Sequence, residues 1–147
     1  MFAQVAVKLT GPMDHLRLIW QVGETLLDAV GFDEDPEGNR YNVLLALQEM
    51  VTNVLRHGYK LDDRLPIEVI FELHEDQLDI TLRDQGPPFD PLTTFTQRND
   101  PDTAMPAEAG GHGIRIARMV MDRFEYTREK GWNSLRMSKS VRVTAHT

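Results

Sequence analysis

Between Ile67 and Leu82 the chain changes face at every residue. Ile67, Val69, Phe71 and Leu73 alternate with Glu68, Ile70, Glu72 and His74, and then Leu78, Ile80 and Leu82 alternate with Asp79, Thr81 and Arg83. A period of two marks strands with one face buried, and the short HEDQ link points to a hairpin. A sheet with one apolar face needs a second layer to cover it.

Helices supply that layer. From Met13 the set Leu16, Ile19, Trp20, Gly23, Leu26, Leu27 and Val30 follows helical spacing, with Gly31 placed as its stop. After the acidic stretch FDEDPEGN, a second helix is predicted from about Arg40 to Gly58, with a core stripe of Leu44, Leu47, Met50, Val51 and Val54. A third begins near Gly113. Val5, Val7 and Leu9 open the chain as a strand, and Phe124 to Arg128 and Trp132 to Val143 close it as two more around Glu129, Lys130 and Gly131. The order βααββαββ predicts an α+β fold, a two-layer sandwich of a mixed, mostly antiparallel sheet with three helices on one face. At 147 residues this is a single domain spanning 1–147.

Composition narrows the partners. With 41% hydrophobic and 27% charged residues the chain has the makeup of a globular domain. A net charge of −7 argues against a nucleic-acid or anionic-membrane surface, which needs a concentrated basic footprint. The absence of cysteine removes thiolate nucleophiles and Cys-based zinc sites and fits a reducing compartment, so a cytoplasmic location is expected. Neither an export signal nor a membrane span is read in the sequence.

The segment from Gln85 to Gly111 is different. Five of the eight prolines fall between Pro87 and Pro106, and the periodicity disappears. A loop of that length in a small domain is usually a lid or a binding loop, so residues 87–111 are expected to form one.

Three groups of residues carry chemistry. Glu49, Asn53 and His57 stand at i, i+4 and i+8 beside the core stripe of the second helix. Such a line of carboxylate, amide and imidazole suits a divalent cation and a base facing a hydroxyl, although ordinary helix pairs give the same spacing. Asp84-Gln85-Gly86 ends an apolar strand, where a carboxylate can accept the amino group of adenine, although a plain Asp-x-Gly turn has the same form. Gly110, Gly111 and Gly113 surround His112 at a helix start, which suits phosphate oxygens or a simple hinge. No Walker A or Rossmann fingerprint is present.

Taken in order, these stretches resemble the GHKL ATPase/kinase superfamily, with its Bergerat fold. The resemblance lies in QEMVTNVLRHGY (the N box, ending at Tyr59), DQGPPFDP (the G1 box) and GGHGIRIARMVMD (the G2 box), and it extends to the final Gly131-x-Asn-x-Leu strand. The Glu-x-x-x-Asn-x-x-x-His-Gly-Tyr form is similar to the anti-sigma-factor serine/threonine kinases, the RsbW-like branch.

That resemblance implies ATP and Mg2+ as cofactors, with Glu49 as the general base toward a serine hydroxyl and Asn53 as the Mg2+ ligand. It implies that Asp84 holds the adenine amino group, that Gly86, Gly110, Gly111 and Gly113 line the nucleotide, and that Ser134 reaches adenine from the late strand. His57 is expected as a pocket-wall or phosphate-side residue. The implied partners are a STAS-domain antagonist protein and a sigma factor, with a homodimer as the working assembly. A non-catalytic nucleotide- or partner-binding module of the same fold is the alternative. One departure stands out: Pro88 occupies the place of the superfamily's second G1 glycine, and proline supplies neither the N–H nor the backbone freedom of glycine.

Overall fold

A computed structural model describes residues 1–12, 14–62, 64–88, 115 and 117–143. Its main sheet has the strand order β1-β3-β4-β6-β5, with β1 at Ala3–Leu9, β3 at Ile67–Leu73, β4 at Gln77–Asp84, β5 at Arg123–Glu129 and β6 at Trp132–Ser140. Every adjacent pair in it is antiparallel. The predicted hairpin is β3–β4, with Leu73 opposite Leu78.

One face of this sheet is the core. Ile67, Val69, Phe71 and Leu73 of β3, Leu78, Ile80 and Leu82 of β4, and Leu135 and Met137 of β6 are all buried, as alternation requires. They pack against helix α1 (His15–Leu27) and helix α2 (Pro36–Asn53), which bury Ile19 and Leu27, and Val43, Leu44, Ala46, Leu47, Met50 and Val51. The helices approach each other closely at Gly23. A Cβ added there would meet Leu44 Cδ2 at 2.8 Å, so a larger residue would force the Leu44 side chain to shift. Ala117 and Met121, in and just after a third helical segment at 117–120, complete the layer. The start of that helix lies outside the described residues. Among the described residues no helix is long and apolar enough to cross a membrane.

Several boundaries differ from the sequence expectation, each for a local reason. Helix α2 starts at Pro36 rather than Arg40, because Asp35 caps it by accepting from the Gly38 N–H at 3.3 Å and Pro36 fills the first helical position, where no N–H is needed. Helix α1 ends at Leu27, before Gly31. Val30–Gly31 instead forms a short strand, β2, paired with β7 at Arg142–Val143. The last expected strand is therefore broken at the buried Val141, beyond which the chain leaves the main sheet.

The far end of α2 also changes. Val54–Gly58 continues it as a π-helical turn, closed by the Tyr59 N–H bonding the Val54 carbonyl at 2.7 Å.

Candidate functional site

Strand β4 ends at Asp84, and the next residues turn tightly around its side chain. Asp84 Oδ1 accepts from the Gly86 N–H at 2.8 Å and from Asn133 Nδ2 at 3.0 Å, and the residue is only 8% exposed. Its other oxygen, Oδ2, meets no donor among the described residues. The carboxylate is thus presented with one acceptor engaged by the fold and one left over.

Glycine is needed at position 86 for space. A Cβ there would stand 3.0 Å from Asp84 Oδ1 and 3.4 Å from the Cα of Gly58. The second contact brings the π turn of α2 against the Asp84 turn. Tyr59 fastens the same junction: its buried hydroxyl accepts from the Gln85 N–H at 2.6 Å and donates to the Pro66 carbonyl. Burial, with the nearby charges of Asp84 and Glu68, pushes the Tyr59 hydroxyl up to about 12 despite the hydrogen bond from Gln85, so it stays protonated and can donate.

Along α2, Glu49 is half-buried, and Asn53 is 8% exposed. The Asn53 Nδ2 is buried without a hydrogen-bond partner among the described residues. An amide end left in that state costs about 1 to 3 kcal/mol unless something meets it, which makes Asn53 the unsatisfied polar group of this helix. His57 departs from the expected line. It lies within the π turn, where each turn takes an extra residue, and it is exposed where Asn53 is buried. The stripe of Glu49, Asn53 and His57 does not run unbroken.

Ser134 lies on the other face of β6 from Asp84. In β6 it pairs with Arg83 and Thr127, whereas its neighbour Asn133 pairs with Asp84 and Arg128. Successive side chains point to opposite faces of a sheet, so Ser134 faces away from Asp84, toward the open side where Arg83 lies over the Trp132 ring at 4.6 Å. Asn133 holds the place that Ser134 was expected to take. Gly110, Gly111 and Gly113 lie outside the described residues, as does the predicted lid from residue 89 onward.

The structure therefore brings together Asp84, Gly86, Gly58 and Tyr59 with Asn133 and Arg128. Arg128, on edge strand β5, donates through Nη1 to the Gly86 carbonyl at 2.9 Å and to Asn133 Oδ1 at 2.8 Å. Sequence reasoning assigned no role to Arg128, Asn133 or Tyr59. Asn133 and Tyr59 lay inside the recognised motifs, but only strand register tells which residue of β6 faces Asp84.

Comparison with known proteins places the chain in a family. Residues 10–139 match the family described as the histidine kinase-like ATPase domain. The serine-protein kinase RsbW of Bacillus mycoides is 25% identical over 95% of this chain and 86% of its own length. The serine/threonine-protein kinase BtrW of Bordetella bronchiseptica is 28% identical over 67% of this chain and 69% of its own. Among solved structures, the RsbU and RsbW domains of Rv1364c from Mycobacterium tuberculosis superpose with a TM-score of 0.62 at 14% identity, over 99% of this chain and 34% of that one. That likeness is one of fold. The family match covers most of the chain, including every described residue of the candidate site, and the chain belongs to the histidine kinase-like ATPase domain family.

Proposed function

We propose that this protein is an anti-sigma-factor-type serine/threonine protein kinase, which binds ATP with Mg2+, phosphorylates a small STAS-domain antagonist protein and sequesters a sigma factor. The observation that carries the reading is the Asp84 turn, a buried carboxylate with one oxygen held by the fold and the other open to a donor. Such a group accepts the exocyclic amino group of adenine. Gly86 lets the backbone come close to the base. Gly110, Gly111 and Gly113 are assigned to the phosphates, and the exposed His57 to the phosphate side, from the sequence motifs.

Mg2+ takes oxygen ligands, usually one or two from protein together with substrate phosphates. The side-chain oxygens of Asn53 and of Glu49, one turn before it on α2, fit that donor set, and the Asn53 amide oxygen is assigned as the protein ligand. When bound, the ion neutralises phosphate charge. Glu49 is assigned as the base. The substrate hydroxyl oxygen bonds to the γ-phosphorus, the bond from that phosphorus to the departing ADP oxygen breaks, and the hydroxyl proton passes to the Glu49 carboxylate. A homodimer in the cytoplasm completes the reading.

Incubation with labelled ATP, Mg2+ and candidate STAS-domain proteins tests it. Label on a serine or threonine of one partner is the expected result. ATP binding with no transfer to any of them favours the alternative of a non-catalytic nucleotide- or partner-binding module, which Pro88, lacking an N–H next to the base-reading turn, already supports.

A further inference from the structure

Asn133 uses its whole amide. Nδ2 donates to Asp84 Oδ1 at 3.0 Å, to the Gly86 carbonyl at 3.2 Å and to the Pro87 carbonyl at 3.0 Å. Oδ1 accepts from the Tyr126 hydroxyl and from Arg128 Nη1 at 2.8 Å. At 4% exposure it has nothing left to offer a ligand, so its effect on one must pass through Asp84 and the Gly86–Pro87 turn that it holds.

We propose that Arg128 and Asn133 are positioning residues that set the base selectivity of this site. The Arg128 guanidinium polarises the Asn133 amide, the amide pins Asp84 Oδ1, and Oδ2 is left as the acceptor that reads the base. The inference rests on the nucleotide-binding reading above and adds to it a device built from β5 and β6.

Three physical points support it. Hydrogen bonds fed by a cation are shorter and stronger than neutral ones, and bonds in a chain polarise one another. The turn has little slack, because Gly86 packs on Gly58 and its carbonyl is held by both Arg128 and Asn133. With Oδ1 pinned, the remaining carboxylate oxygen, Oδ2, is only an acceptor. It therefore welcomes a purine with an amino group at the 6-position and opposes one with a carbonyl there, since a site built to bond a donor rejects the analogue lacking it.

The test compares the dissociation constants of ATP and ITP, which differ in having an amino group or a carbonyl at that position, for wild type, Arg128→Met, Arg128→Lys and Asn133→Ala. Arg128 is exposed on an edge strand, so its variants are expected to fold even where loss of the buried Asn133 is harmful. Wild type is expected to prefer ATP by about tenfold or more. Arg128→Met should bring the two within about threefold, chiefly by weakening ATP, and Arg128→Lys should restore part of the preference. An arginine acting directly on the phosphates would weaken both nucleotides together and leave their ratio unchanged. An unchanged ratio in Arg128→Met therefore overturns the positioning role. Equal wild-type affinity for ATP and ITP overturns base reading through Asp84 while ATP binding stands. Failure of wild type to bind either removes the nucleotide reading itself, and this inference with it.

Discussion

A buried carboxylate needs donors, and Asp84 receives two on a single oxygen while its other oxygen meets none among the described residues. That asymmetry is what the proposed adenine-reading role rests on. Asp84→Asn replaces a charged acceptor with an amide and should weaken ATP binding by more than about tenfold, since a hydrogen bond to a charged group is worth roughly 1.5 to 3 kcal/mol; calorimetry reads the change. Asn53 presents the opposite case. Its unpartnered Nδ2 contributes nothing to the fold of the described residues, so Asn53→Ala should lower unfolding free energy by no more than about 1 to 2 kcal/mol. The same change should nevertheless abolish most of the thermal stabilisation that ATP with Mg2+ gives wild type. A variant that melts far below wild type without nucleotide would show that Asn53 is structural.

Between elements, the junction of the π turn with the end of β4 decides the shape of the site, and Tyr59 is its fastening. The Tyr59 hydroxyl is raised from 10.0 to about 12 in the fold, first by burial and then by Asp84 and Glu68, so the folded state holds that proton more tightly than the unfolded state does. Its contribution is complete below pH 10 and is lost as the pH rises toward 12, about 2 to 3 kcal/mol in all. Chemical denaturation between pH 8 and 12 should show this fall in wild type, and Tyr59→Phe should be flatter over the same range. An identical pH profile for the two would remove Tyr59 from the account. Much at this scale was legible beforehand. The alternation of Ile67 to Leu82 announces the hairpin, and the stripe of Leu44, Leu47, Met50 and Val51 announces α2. What stayed hidden depends on partners distant in sequence. Val30–Gly31 becomes a strand only because Arg142–Val143 reaches it, and Asn133 rather than Ser134 faces Asp84 only because of the β4–β6 register. The π turn that ends α2 has no marker in hydrophobic period, since it changes the backbone pitch and leaves the pattern of residue types intact.

Across the whole sheet, among the described residues, helices cover one face and the other carries mostly polar side chains. The centre of that open face is held by Asp79, fully buried, which takes hydrogen bonds from Ser138 at 2.7 Å, Arg136 at 2.6 Å and Gln77 at 2.7 Å and lies 3.0 Å from His74 Nε2. Burial alone would raise its carboxyl. The bonds from Ser138, Arg136 and Gln77 outweigh burial and hold it below the ordinary 3.8, so its contribution is complete above that pH and is lost as the pH falls through the lower, folded value. Asp79→Asn should therefore lower stability near neutral pH by a few kcal/mol, on the order expected for breaking a buried charged network, and should flatten the acid limb of the stability curve below about pH 4. Equal acid sensitivity in the two proteins would place the acid-labile group elsewhere.

Helix α2 carries Glu49 and Asn53, the sheet it covers carries Asp84, and the proposed function is that these groups together bind ATP and transfer its γ-phosphate. The most direct measurement follows label from ATP to a serine or threonine of a STAS-domain protein, using wild type and Glu49→Gln side by side, with nucleotide binding measured on both. Glutamine keeps the size of Glu49 but accepts no proton. Wild type should label a partner, the two proteins should bind ATP comparably, and transfer by Glu49→Gln should fall by roughly 100- to 10,000-fold. Transfer by Glu49→Gln at the wild-type rate, or ATP binding by wild type with no labelled partner, would contradict the proposed function.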